Sequence, residues 1–157
     1  FQAIMKAREQ NTRLRLLVVG DGPERNHLEN IAPEGVHFLG NRTDIPDVLR
    51  TIDLFVLTSL NEGISNTILE AMASGLTTVV TSVGGNPELV EDGITGTLVP
   101  PRDSAALALA LCAYIKNPNI RTMHGKAGRI RAEKHFSIEK MVKNYETVYR
   151  RAASMDY

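Results

Sequence analysis

The residues with the most chemical content in this chain lie between two glutamates, Glu62 and Glu70, which enclose the seven-residue segment Gly63-Ile64-Ser65-Asn66-Thr67-Ile68-Leu69. The segment follows the apolar run Leu54-Phe55-Val56-Leu57 and opens a helical pattern that Gly75 closes. A helix beginning here presents amide N–H groups without intrahelical acceptors at the positive end of its dipole, and both features suit a phosphate. Gly63 lets the backbone approach a ligand closely, and the small Ser65, Asn66 and Thr67 leave room for it. Carboxylates on either side of a phosphate-sized gap would repel the phosphate itself, but they are suited to gripping pairs of sugar hydroxyls. A sugar, a diphosphate and a ribose in line fit this layout. Two other readings stay open: Thr67-Ile68-Leu69-Glu70 matches a capping box in which Glu70, in the first turn, only closes its own helix, and Glu62 can be a solvated loop carboxylate.

The elements that must position these residues follow from the alternation of short apolar runs with amphipathic stretches. Leu14 to Val19 reads as a buried strand ending at Gly20-Asp21-Gly22, followed by a helix from about Pro23 with Leu28 and Ile31 on one face. Val36 to Leu39 is the next strand, Asp44 to Arg50 a short helix, Leu54 to Leu57 a central strand, Asn66 to Ser74 a helix, and Thr77 to Val80 another strand. After Gly84-Gly85-Asn86 the pattern predicts a short helix near Pro87 to Glu91, a turn at Asp92-Gly93 and a brief strand from Gly96 to Val99. The rest is helical: Asp103 caps a helix through Lys116, Asn117-Pro118 breaks it, and two more helices meet at Phe136-Ser137. Strands alternating with helices specify an α/β, Rossmann-like parallel sheet with helices on both faces and a helical tail. In such a sheet the ligand site lies at the carboxyl ends of the strands.

Composition excludes several classes. The 157 residues suit one domain. The longest uninterrupted apolar stretch, Ala105 to Ile115, falls short of the roughly 18–20 residues a membrane span needs. Cys112 has no partner for an internal disulfide and reads as a small buried hydrophobe in a reducing compartment. His27, His37, His124 and His135 have no metal spacing and read as surface or packing residues. Gly20-Asp21-Gly22 lacks the full dinucleotide fingerprint, and neither a lysine-bearing phosphate loop nor a nucleophile motif is present. The formal net charge of zero hides an asymmetry: residues 1–100 carry 7 basic and 13 acidic side chains, residues 101–157 carry 11 and 5. The basic residues between 116 and 151 could face an anionic membrane; a solvated face is the alternative.

Taken with Leu17-Val18-Val19-Gly20-Asp21-Gly22-Pro23, Val36-His37-Phe38-Leu39-Gly40 and Gly84-Gly85-Asn86-Pro87-Glu88-Leu89-Val90, the two-glutamate segment resembles the family 4 retaining glycosyltransferases of the two-Rossmann-domain type. The likeness is to their C-terminal, donor-binding half and extends over nearly the whole chain. It implies that residues 1–157 are a single donor-binding domain, a fragment of a larger two-domain enzyme. The opening Phe1-Gln2-Ala3-Ile4-Met5, without an initiator Met, agrees with that expectation.

The resemblance also implies roles. Glu62 would bind donor-sugar hydroxyls near the reacting carbon and is the nearest thing to a catalytic residue here. Main-chain groups of Gly63, Ile64 and Ser65 would line the sugar, amides of Asn66 and Thr67 the distal phosphate, and Glu70 the ribose. Arg42 lies where the family contacts the base through its backbone, with an exposed loop arginine as the other reading, and Gly84 and Gly85 would border the sugar. Glu88 is expected to serve capping or packing. Two departures alter the expectation: Gly63-Ile64-Ser65 stands where the family often has Gly-Phe-Gly, and Leu76 where it has proline. The family's phosphate-binding Arg and Lys fall upstream of Phe1, as does the acceptor domain.

The expected whole protein is therefore a cytoplasmic, hexosyltransferase-type enzyme of polysaccharide biosynthesis. It moves a sugar, with retention, from a nucleotide-diphosphate sugar to a lipid-linked or polysaccharide acceptor. It requires no metal or other cofactor, binds no nucleic acid, and could touch the membrane peripherally; the isolated fragment should be inactive. Two alternatives remain, a sugar-nucleotide epimerase of the same architecture and a non-catalytic nucleotide-sugar binding module.

Overall fold

The short apolar runs, four to six residues long and bounded by turn residues, are too short for stable helices and become strands, each of the first four followed by a helix that leads to the next strand. The computed structural model describes residues 1–154. Its elements are α1 (Gln2–Gln10), β1 (Leu16–Val19), α2 (Arg25–Ile31), β2 (Val36–Gly40), α3 (Ile45–Thr51), β3 (Leu54–Leu57) and α4 (Asn66–Ala73). There follow β4 (Thr77–Thr81), α5 (Asn86–Leu89), β5 (Gly96–Val99), α6 (Ser104–Lys116), α7 (Pro118–His135) and α8 (Ile138–Ala153). The strands form two parallel ladders, β1–β2 and β3–β4–β5. Leu16 lies opposite Val36, Leu54 opposite Thr77 and Thr78 opposite Gly96.

β4 is buried along its whole length, and its side chains show which helices cover which face. Val80 packs with Ile68 and Met72 of α4, Leu89 of α5 and Ala132 of α7. Its neighbour Val79, which points the opposite way, packs with Ala110 and Tyr114 of α6. A third cluster joins Ala3, Ile4 and Ala7 of α1 to Ala108, Leu111 and Cys112 of α6, and Leu16 of β1 and Leu54 and Val56 of β3 pack against it. The two ladders thus share one core, with helices on both faces as expected. Ile68, Met72 and Leu89 are fully buried, so truncating any of them to alanine would cost about 2–5 kcal/mol.

Several boundaries differ from the sequence reading for local reasons. Helix α1 was not foreseen; it buries only three small or aliphatic side chains, and its packing on α6 supplies the stabilisation its sequence lacks. Helix α2 starts at Arg25 because Gly22 and Pro23 are taken up by a turn closed by the Arg25 N–H on the Gly22 carbonyl. Helix α5 stops at Leu89, since Val90 is extended and the Glu91 N–H donates to Thr95 Oγ1. Asp103 caps α6 as expected, accepting from the Ala105 and Ala106 amides. His124 is buried and its Nδ1 lies 2.8 Å from the Tyr114 hydroxyl, while His27, His37 and His135 are exposed. No helix among the described residues is long and apolar enough to cross a membrane.

Candidate functional site

The carboxyl end of β3 leads through residues 58–65 into α4, and this turn builds most of the site. Ser65 is the N-cap residue, in extended conformation, but its side chain makes no capping bond. Its hydroxyl lies instead 3.0 Å from Thr67 Oγ1. The amides of Asn66, Thr67 and Ile68 consequently have no acceptor among the described residues, and the Leu69 amide is the first to bond back, to the Ser65 carbonyl. An uncapped helix start at the carboxyl edge of a parallel sheet can accept an anion.

This start also removes the capping-box alternative for Glu70. With Ser65 as N-cap, Thr67 is the second helical residue and Glu70 lies in the second turn, not the first, so Thr67 to Glu70 form no capping box. The Glu70 carboxylate is exposed and accepts no hydrogen bond or ion pair among the described residues. It lines, with Thr67, a cleft of about 990 Å³ that runs between β1 and β3. Gly20, Asn41 and Arg42 line the carboxyl end of the same cleft, and its walls are the leucines and isoleucines of β1, α3 and β3. Arg42 donates to both carboxylate oxygens of Asp44, from Nε at 2.8 Å and Nη2 at 2.5 Å. That pair keeps the Arg42 guanidinium above, and the Asp44 carboxyl below, the ordinary range, chiefly through the hydrogen bonds between them.

Glu62, Gly63 and Ile64 do not line this cleft; they form an adjoining wall against the loop after β4. The Gly85 amide donates to the Gly63 carbonyl at 2.9 Å. A Cβ added to Gly84, whose φ is +52°, would fall 1.7 Å from the Glu62 carbonyl oxygen, and one on Gly85 would fall 2.6 Å from the Gly63 carbonyl oxygen. Glycine is therefore required at both positions for the loops to touch. The structure thus gathers the expected residues into two groups, Arg42, Thr67 and Glu70 on the cleft and Glu62, Gly63, Ile64, Gly84 and Gly85 beside it. Ser65 and Asn66 join the two.

The sequence reading missed the residues that hold Glu62. Ser59 Oγ donates to Glu62 Oε1 at 2.5 Å, Thr81 Oγ1 donates to the Ser59 carbonyl at 2.7 Å, and Asn86 Nδ2 donates to the Thr81 carbonyl at 2.9 Å. Glu88, in the first turn of α5, offers its main-chain carbonyl to Arg131 Nη2 at 2.8 Å, while its carboxylate makes no hydrogen bond or ion pair among the described residues. No three His, Cys, Asp or Glu side chains come together as a metal-sized group among the described residues.

The expected basic face is only partly free. Arg121 pairs with Asp53, Arg129 with Glu133, and Arg131 with Glu91. Lys140, Lys143, Arg150 and Arg151 lie on α8, which buries no residue.

A family model described as "Glycosyl transferases group 1" matches residues 1–117. Among curated proteins, N-acetyl-alpha-D-glucosaminyl L-malate synthase of Bacillus anthracis is 35% identical over 140 residues, covering 86% of this chain and 37% of its own length. Lipopolysaccharide core biosynthesis mannosyltransferase LpcC of Rhizobium leguminosarum bv. viciae is 36% identical over 112 residues, 71% of this chain and 32% of its own. Among solved structures, sucrose-phosphate synthase from Thermosynechococcus elongatus superimposes with a TM-score of 0.85 at 27% identity, over 99% of this chain and 42% of that one. Anabaena Alr3699/HepE in complex with UDP-glucose gives a TM-score of 0.83 at 27% identity, over 94% and 44%. The chain spans less than half the length of each of these relatives.

Proposed function

The chain belongs to the group 1 glycosyl transferase family, and from that premise we propose that residues 1–157 are the donor-binding domain of a two-domain enzyme that transfers a sugar with retention from a nucleotide-diphosphate sugar. The observation that carries this reading is the uncapped start of α4, with free amides at Asn66 and Thr67 between the carboxylates of Glu62 and Glu70. The amides and the helix dipole hold the distal phosphate and stabilise the charge that collects on the diphosphate as the glycosidic bond breaks. Glu70, with no side-chain partner among the described residues, accepts from the ribose hydroxyls. Glu62 and the main chain of Gly63, Ile64 and Ser65 face the transferred sugar, with Gly84 and Gly85 as its border, and the backbone beside Arg42 meets the base. The solved HepE complex with UDP-glucose supports a nucleotide sugar as the ligand.

In this reading the acceptor is lipid-linked or a polysaccharide, the acceptor-binding domain belongs to the same parent protein, the compartment is the cytoplasm, and no metal takes part. Titration calorimetry of nucleoside diphosphates into this chain tests the donor site, and heat of binding that disappears on competition with the matching nucleotide sugar is the expected outcome. The anomeric configuration of the product formed by the whole protein tests retention, and an epimerised nucleotide sugar as the sole product would overturn the transferase reading. A peripheral membrane contact would fall on α8, where Lys140, Lys143, Arg150 and Arg151 accompany exposed Ile138, Met141, Tyr145 and Tyr149. Sedimentation of the whole protein with anionic but not neutral vesicles at low salt is expected, and equal sedimentation with both rules it out.

A further inference from the structure

A carboxylate that is to contact a sugar near the reacting carbon must be held within a fraction of an ångström, and Glu62 stands on a loop rather than on a helix or strand. Its position is nevertheless fixed at two levels. At the main chain, Gly84 lies against the Glu62 carbonyl so closely that no Cβ fits between them, and the Gly85 amide bonds to the next carbonyl. At the side chain, only Oε1 is engaged, by the Ser59 hydroxyl at 2.5 Å; Oε2 accepts no hydrogen bond among the described residues.

Ser59 is itself anchored. Thr81, 3% exposed at the end of the central strand β4, donates to the Ser59 carbonyl, and Asn86, fully buried at the start of α5, donates to the Thr81 carbonyl. Three successive hydrogen bonds therefore run from the buried interior to one oxygen of Glu62, while the other oxygen stays available to a ligand hydroxyl.

We propose that Ser59 is a positioning residue for Glu62: its hydroxyl, carried on a main chain that Thr81 anchors, fixes one carboxylate oxygen so that the other meets the transferred sugar. This inference rests on the reading of Glu62 given above. A serine in a loop can also serve the turn alone, and the two roles make different forecasts.

The test is made in the whole protein, comparing Ser59→Ala, Ser59→Thr, Glu62→Gln and the double variant Ser59→Ala with Glu62→Gln. Loss of a hydrogen bond to a charged group predicts a fall in kcat of about tenfold or more for Ser59→Ala. The nucleoside diphosphate affinity stays unchanged, any fall in melting temperature leaves the variant folded at the assay temperature, and Ser59→Thr, which keeps the hydroxyl, retains turnover. In the Glu62→Gln background, Ser59→Ala adds no further loss, because the group it positions is already altered. An equal fractional loss in both backgrounds, or a fall in melting temperature and ligand affinity that accounts for the lost turnover, overturns the positioning role. If Glu62→Gln is slow and Ser59→Ala is not, the inference alone falls; if Glu62→Gln turns over normally, the reading of Glu62 falls and takes the inference with it.

Discussion

Glu62 and Glu70 carry the same charge in different settings, and substitution by glutamine separates their roles. Glu70 has no side-chain partner among the described residues, so Glu70→Gln should leave the melting temperature unchanged while weakening nucleoside diphosphate binding by about 1–3 kcal/mol, the range for a lost charge-assisted hydrogen bond. Glu62→Gln should leave that affinity unchanged and lower turnover in the whole protein, because under the proposed role Glu62 meets the transferred sugar, which the nucleoside diphosphate lacks. Calorimetric titration beside thermal melts reads both outcomes; equal affinity in wild type and Glu70→Gln would remove Glu70 from the site. The sequence made both glutamates visible, since their interest comes from their spacing about a helix start. The helix begins at Asn66 as expected, and the capping-box alternative at Thr67 arises only because Ser65, Asn66 and Thr67 are all good N-cap residues. Burial of Ser65, at 6% exposure, goes with its place as the N-cap, and that is a property of the packed molecule.

At the scale of elements, the loop between β4 and α5 carries the site as much as α4 does. Gly84→Ala introduces both a positive-φ strain and a collision with the Glu62 carbonyl, so the loop bearing Glu62 must move. The expected result is a lower melting temperature together with a loss of turnover on the order of 100-fold, since displacement of a reacting group by about 1 Å has that effect. Helix α5 has only four residues and is held from outside: Arg131 of α7 donates to the Leu89 and Glu88 carbonyls at 2.8 Å each, bonds Glu91, and lies 5.7 Å from the centroid of the Phe136 ring. Arg131→Ala should destabilise the domain by about 1–3 kcal/mol, read as a shift in the urea midpoint. Lysine at the same position should recover little of it, because a single ammonium cannot reproduce the fork. Sequence reading counted Arg131 as part of a basic surface, since nothing local to α7 points to partners some 40 residues away.

For the whole molecule, the expectation is a division of labour: this domain binds the donor, and transfer needs the acceptor half. Labelled-sugar transfer by residues 1–157 alone should be undetectable, and the whole protein should keep its activity in excess chelator, with amides and basic groups in the place of a cation; turnover lost in chelator and restored by magnesium or manganese would refute the second point. The order of strands and helices, the helix start after β3, the Asp103 cap and the break at Asn117-Pro118 were determined by the sequence itself, because periodicity, capping and turn chemistry act over a few residues. The existence of α1, the division of the strands into two ladders over one core, the hold of Ser59, Thr81 and Asn86 on Glu62 and the capture of Arg131 by α5 were decided only by the tertiary structure. Thr81 is 22 residues from Ser59, and Arg131 is 42 from Leu89. Hydrogen bonds over such separations form because burial leaves each donor and carbonyl no water to pair with, and burial is a property of the assembled chain rather than of any segment of it.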